Sequence, residues 1–168
     1  MSCQVELDKY KQQVADLYSS QSGNYDNGDW HPRIAHRLIE YADIRPGQKI
    51  LDLATGTGMV AIEAAQIVGD EGYVIGIDIA TGMVDQASQK IAALGLSNIE
   101  FQVADAENLD FPDDFFDYIF CSSAFIWMSD LLGALQHWHR LLKPGGVIGF
   151  HAFADTAFIG GAVSQQVL

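Results

Sequence analysis

Two glycines and two aspartates carry the chemistry legible in this chain. Gly56 and Gly58 lie in the run I-L-D-L-A-T-G-T-G-M-V-A from Ile50 to Ala61. There an apolar stretch holding one acid, Asp52, meets a glycine-rich turn and then a helix-forming stretch. Glycines in such a turn adopt positive φ at little cost and let a ligand approach bare backbone. A helix opening at Met59 aims unpaired N–H groups and a partial positive charge at whatever occupies the turn. Asp78 ends another hydrophobic run, Y-V-I-G-I-D. It follows the glycines by about 20 residues, the spacing at which an acid accepts hydrogen bonds from ribose hydroxyls. Turn and acid together suit a nucleotide-like ligand with an anionic or strongly polar group.

Such a site needs strands to end where the acids stand. From Lys49 the sequence alternates short apolar runs with amphipathic ones. The runs predict strands over Lys49–Leu53, Tyr73–Asp78, Ile99–Val103, Phe116–Cys121 and Gly146–Phe153. Helices are predicted over Met59–Val68, Thr81–Leu94 and Ser129–Leu142, with Gly69, Gly95 and the P-G-G turn at Pro144 as stops. This alternation predicts an α/β fold, a doubly wound, mostly parallel sheet covered on both faces. Such sheets bind ligands at the carboxyl ends of their strands, at the topological switch point. Asp52, Asp78, Asp105, Cys121, Ser122 and His151 all lie at or near those ends.

Ahead of the sheet, Gln4 to Ser19 has helical periodicity, and S-S-Q-S-G-N-Y-D-N-G-D then reads as a flexible segment of poor helix formers. Pro32 suits a first helical position, with a helix to about Ala42. We therefore expect an N-terminal helix and lid or linker over residues 1–30 and the ligand-binding domain over 31–168.

Composition narrows the partners. The chain has 168 residues, 49% hydrophobic, with net charge −13, enough for one domain with a substantial core. An acidic surface repels phosphate backbones, and Lys and Arg are scattered singly, so nucleic acid is not expected as a partner. Two cysteines, Cys3 and Cys121, make no disulfide framework and fit a reducing cytoplasm. No apolar stretch reaches the ~20 residues of a membrane helix. His137 and His139 sit two apart on a helix and face apart, so no metal site is expected.

After the fifth strand only A-D-T-A-F-I-G-G-A-V-S-Q-Q-V-L remains. That is too short for a further helix and two strands, and an uncovered edge strand is a liability. The expectation is a piece of a longer protein lacking its last strands, or a homodimer.

The residues leave two ligands open. G-T-G-M-V-A fits the G-x-G-x-x-A dinucleotide fingerprint, which would make an NAD-dependent oxidoreductase. S-adenosylmethionine also needs a ribose acid and has no pyrophosphate. Four blocks resemble the class I S-adenosylmethionine-dependent methyltransferases, nearest the ubiquinone and menaquinone C-methyltransferase subgroup. They are L-D-L-A-T-G-T-G at Leu51, G-I-D-I-A-T-G-M-V-D-Q-A at Gly76, F-Q-V-A-D-A-E-N-L-D-F-P-D-D-F-F-D at Phe101 and L-L-K-P-G-G-V-I-G-F at Leu141. The more general family pattern has Gly where Ala54 stands.

The resemblance implies methyl transfer to a small-molecule acceptor, leaving S-adenosylhomocysteine, with roles for particular residues. Ala54, Thr55, Gly56 and Gly58 would run along the methionine part, and Asp52 would order their loop. Asp78 would hold the ribose, Ile79 and Met83 would sandwich the adenine, and Asp105 and the Ala106 backbone would read its edge. Cys121 and Ser122 would lie beneath the sulfonium. Tyr25 would cover the cofactor in a mobile lid. Phe125, Trp127 and Met128 would line the acceptor side. His151 is the one candidate general base. The other expectation for the whole is a truncated, non-catalytic cofactor-binding domain.

Overall fold

β1, Lys49–Leu53, is buried on both faces beyond its first residue, as only a central strand can be. The computed structural model describes residues 7–153. They form α1 (Lys9–Gln21), a 3₁₀ turn (Ser22–Asn27), α2 (Trp30–Tyr41), β1, α3 (Met59–Val68), β2 (Tyr73–Asp78) and α4 (Thr81–Leu94). Then come β3 (Ile99–Val103), β4 (Phe116–Ser122), a 3₁₀ turn (Phe125–Trp127), α5 (Leu131–Leu141) and β5 (Leu142–His151). The sheet order is β3-β2-β1-β4-β5 and every pairing is parallel. Chain order runs outward in both directions from β1, so the switch point lies between β1 and β4.

Strand alternation sorts the apolar side chains into two cores. Ile50, Val74 and Phe120 face Ala35 and Ile39 of α2 and Val60 to Val68 of α3, with Ile91 of α4 alongside. Leu51, Leu53, Ile75, Ile77, Ile119 and Cys121 face the other way, onto Ala134, Trp138 and Leu141 of α5. The Trp138 indole N–H donates to Ala106 O at 2.7 Å, which ties α5 to the loop after β3.

The structure corrects several boundaries. α2 begins at Trp30, so Pro32 is its third residue and not its first, and β5 ends at His151, not Phe153. Ser19 to Asp29 is not a break. α1 continues to Gln21, and residues 22–27 form a 3₁₀ turn. Tertiary anchors override the poor propensities: Asp26 accepts from Thr57 Oγ1 at 2.6 Å and pairs with Lys90 at 2.5 Å. β5 begins at Leu142, not Gly146, so P-G-G lies within it as an irregularity. There β4 advances from Phe116 to Tyr118 while β5 advances from Leu142 to Val147. α5 begins later than expected because Asp130 caps it, accepting from Gly133 N at 2.9 Å. α1 begins at Lys9, where Asp8 caps it, later than the periodicity from Gln4 suggested. The expectations about Cys3 and the chain beyond residue 153 lie outside the described residues.

Candidate functional site

The turn after β1 is held by the strands beside it. Thr55 N donates to Ile77 O at 2.8 Å, and Gly56 N to Asp78 Oδ2 at 2.9 Å. Thr55 Oγ1 donates to Asp52 Oδ2 at 2.5 Å. Ala54, Gly56 and Gly58 all take positive φ, +49°, +57° and +83°. A Cβ built on Gly56 meets nothing closer than Tyr25 Cε1 at 3.8 Å, so this glycine leaves backbone open to a ligand.

Above the turn lies a cavity open to solvent. The carboxyl ends of four strands floor it: Ala54 and Gly56 after β1, Asp78 and Ile79 from β2, Asp105 and Ala106 after β3, Ser122 and Ser123 from β4. Lys11, Val14 and Tyr18 of α1 and Tyr25 of the 3₁₀ turn cover it, and Trp127 and Met128 close one side. A second, smaller cavity adjoins it, sharing Tyr25, Ala54, Gly56, Ser122 and Ser123 and adding Asp52, Thr55 and His31.

Both core acids are shifted toward their neutral forms. Burial pushes Asp52 up to about 7, against the Thr55 hydrogen bond, which favours the carboxylate. Its Oδ1 is buried with no hydrogen-bond partner among the described residues. Burial also raises Asp78, opposed by the Ala80 and Gly56 amides. Oδ2 accepts the Gly56 amide and Oδ1 the Ala80 amide, each at 2.9 Å.

Several expected residues lie elsewhere. Gly58 lines neither cavity; a Cβ there would stand 2.6 Å from Phe101 Cζ, so packing of α3 on β3 demands the glycine, not a ligand. Met83 is fully buried and lines neither cavity, which leaves Ile79 alone of the expected adenine pair. Cys121 is paired in register with Leu53 and faces the α5 core with it, so the strand's alternation turns its thiol away from the cavity. Burial pushes that thiol up and keeps it unreactive. Phe125 stacks on Phe150 at 4.7 Å and does not line the cavity. His151 lines neither cavity but lies 2.7 Å from Ser123 Oγ through Nδ1. Among the described residues no group of three His, Cys, Asp or Glu side chains is placed to hold a metal. Nor is any helix among them long and apolar enough to cross a membrane.

The sequence reading missed Lys11, Tyr18 and Ser123. Lys11 Nζ bridges Asp105 and Glu107 at 2.7 Å each, so α1 is clasped to the loop after β3. Lys11, Val14 and Tyr18 follow the spacing of one helix face, a signal that was available. No sequence signal marked Ser123.

The profile of the Methyltransferase domain family matches residues 50–146, which hold the turn, Asp78 and Asp105. The chain belongs to the class I S-adenosylmethionine-dependent methyltransferases. This methyltransferase domain is 36% identical over 143 residues to the aklanonic acid methyltransferase DauC of Streptomyces sp. strain C5, covering 84% of the chain and 65% of that protein. To the ubiquinone/menaquinone biosynthesis C-methyltransferase UbiE of Vibrio campbellii it is 38% identical over 149 residues, covering 84% and 58%. The chain thus spans less than two thirds of the length of these curated relatives. An S-adenosylmethionine-dependent methyltransferase from Aquifex aeolicus superposes with TM-score 0.64 at 25% identity, covering 86% of the domain and 72% of that chain. The [4+2]-cyclase SpnF, at TM-score 0.73 and 24% identity over 87% and 62%, shares the fold alone. The dinucleotide reading of G-T-G-M-V-A finds no support in these likenesses.

Proposed function

We propose that this domain binds S-adenosylmethionine in the larger cavity and passes its methyl group to a small-molecule acceptor. The observation that carries the reading is the Asp78–Gly56 contact at the carboxyl ends of β1 and β2, which brings a carboxylate and an open backbone to one cavity. When bound, the cofactor supplies a methyl group on a sulfonium whose departure leaves a neutral thioether. The residues present suit it. Asp78 presents its carboxylate to the ribose hydroxyls. The orphaned Asp52 oxygen beside the loop offers an acceptor to an ammonium. Ile79 gives an apolar wall for a purine, and the Asp105–Ala106 stretch gives it a polar edge.

What the chain contributes to the chemistry is alignment and the exclusion of water. A leaving group that departs neutral needs little help, and well-aligned partners reach effective molarities of ~10⁵–10⁸ M. Trp127 and Met128 present apolar surface to the acceptor. Tyr18 packs edge-on to Trp127 with centroids 5.7 Å apart and to Tyr25 at 6.1 Å, so cover and acceptor wall form one aromatic group. α1 and the 3₁₀ turn after it serve as a lid over the site. The relatives' names, one for aklanonic acid and one for quinone C-methylation, support an apolar or amphipathic organic acceptor. The acidic balance argues against nucleic acid in that role, and the sparse cysteines suit a reducing cytoplasm. A second copy covering the β5 edge would give a homodimer, which light scattering tests.

The deciding experiment is calorimetry with S-adenosylhomocysteine and with NADH. We expect saturable binding of the first and none of the second; the reverse result would overturn the proposal.

A further inference from the structure

Ser123 is tied twice to a residue far along the chain. Its N–H donates to His151 O at 2.9 Å, and its Oγ lies 2.7 Å from His151 Nδ1. These bonds hold Ser123 at φ +63°, a left-handed conformation unusual for a residue with a side chain. The strain puts Ser123 on the lining of both cavities, where they meet. His151 stands behind it, one step removed from the cavity. A residue lining the site whose hydroxyl is bonded to an imidazole outside it has the arrangement of a two-step proton path.

We infer that Ser123 Oγ accepts the proton of an acceptor hydroxyl and passes its own proton to His151 Nδ1, so that the acceptor is a phenol or enol methylated on oxygen. This rests on the cofactor reading above. The balance closes as follows. The acceptor oxygen loses its proton and gains the methyl, and the electron pair of the broken carbon–sulfur bond stays on sulfur. Ser123 ends as it began, and the single positive charge moves from sulfonium to imidazolium. His151 is partly exposed, which lets the proton leave to water. A carboxylic acid, already ionised at neutral pH, would have no use for this path. An alkyl alcohol holds its proton too tightly for a neutral imidazole. Phenols and enols lie between, and Trp127 and Met128 suit their flat apolar bodies.

His151 is placed to receive. The rings brought against it are Trp30 of α2, with centroids 6.3 Å apart, and Phe153 at 5.3 Å. On α2 the titratable neighbours of Trp30 are Asp29 and His31, and His31 is stacked instead on Tyr25 at 4.2 Å. No charge acts on His151 from these elements; burial alone lowers it below the ordinary histidine value, so the ring is neutral at pH 7. As Ser123 and His151 belong to the site, Ser123 is the catalytic contact and His151 a positioning and proton-holding residue acting through it.

The test uses the whole chain with S-adenosylmethionine and three probes: 1-naphthol, the enol of dimedone and 1-naphthoic acid. Wild type is expected to methylate the naphthol or the enol, with kcat rising through a pH limb below 6.5. Ser123→Ala should lower kcat about 100-fold while S-adenosylhomocysteine still binds. His151→Asn keeps a hydrogen-bonding group near the Nδ1 position but cannot hold a proton at neutral pH. It should lose the limb and become dependent on hydroxide. A purely structural pair would instead give lower melting temperatures and an unchanged pH profile, which would overturn the inference. So would methylation of the naphthoic acid alone, or of none of the probes, by protein that binds S-adenosylhomocysteine. Failure to bind S-adenosylhomocysteine at all would overturn the cofactor reading instead.

Discussion

Asp78 Oδ2 accepts the Gly56 amide at 2.9 Å, so one carboxylate both fixes the glycine turn and faces the cavity that the turn encloses. Cofactor affinity and loop order therefore depend on the same group. Asp78→Asn keeps one acceptor oxygen but cannot serve both amides and a ribose. We expect S-adenosylhomocysteine affinity to fall about 10- to 100-fold, the cost of leaving polar groups unpaired in a built site. Calorimetry measures it, and an unchanged Kd would show that the ribose lies elsewhere.

Asp52 makes stability depend on pH in an unusual direction for an acid. Its folded pKa is raised to about 7 from 3.8, chiefly by burial. Between these values the folded protein holds a proton that the unfolded chain has lost. Stability contributed by this group is therefore full below pH 4 and is lost as pH rises toward 7, at roughly 1.4 kcal/mol per unit. Asp52→Asn should remove the decline. Denaturant melts of both proteins from pH 4 to 8 should converge at low pH and diverge in favour of the variant above it. A constant difference would refute the assignment.

Gly82 is where α1 docks on α4. A Cβ there would stand 2.8 Å from Ser19 O and 3.0 Å from Ser19 Cα, both backbone atoms that cannot step aside alone. Gly82→Ala should push α1 off the site while leaving the sheet folded. Limited proteolysis should cut within residues 9–21 faster, and S-adenosylhomocysteine should dissociate faster in stopped flow. Unaltered dissociation with demonstrably loosened α1 would mean that this helix is no lid.

Ala54 sits at φ +49° where a side chain is strained. Ala54→Gly relieves roughly 1–2 kcal/mol of that strain and gives back part of it as chain entropy. The net should be about 0.5–1 kcal/mol of added stability, or ~1–4 °C in Tm for a chain of this size. Differential scanning calorimetry reads this directly, and a lowered Tm would mean that the methyl is needed for packing.

Much of the site was legible because it is local. The L-D-L-A-T-G-T-G turn and the strand ending at Asp78 each fix their own conformation through periodicity and glycine, so Asp52, Ala54, Gly56 and Asp78 fall where the sequence puts them. Thr55, Ile79, Asp105, Ala106, Ser122, Trp127 and Met128 also line the cavities. Gly58, Met83, Cys121 and Phe125 do not, since a residue beside a strand end points to cavity or core according to alternation and packing. The segment from Ser19 to Asp29 misled for a related reason: its order comes from Thr57 and Lys90, which no local window contains.

The sequence by itself determined the alternation of strands and helices, the glycine turn and the acid that answers it, because backbone preference and hydrophobic period act within a few residues. Only the tertiary structure decided that Lys11 reaches Asp105, that Cys121 turns its back on the site and that Ser123 meets His151. Those relations depend on strand register and on how helices lie across the sheet, and burying two cores at once is what sets both.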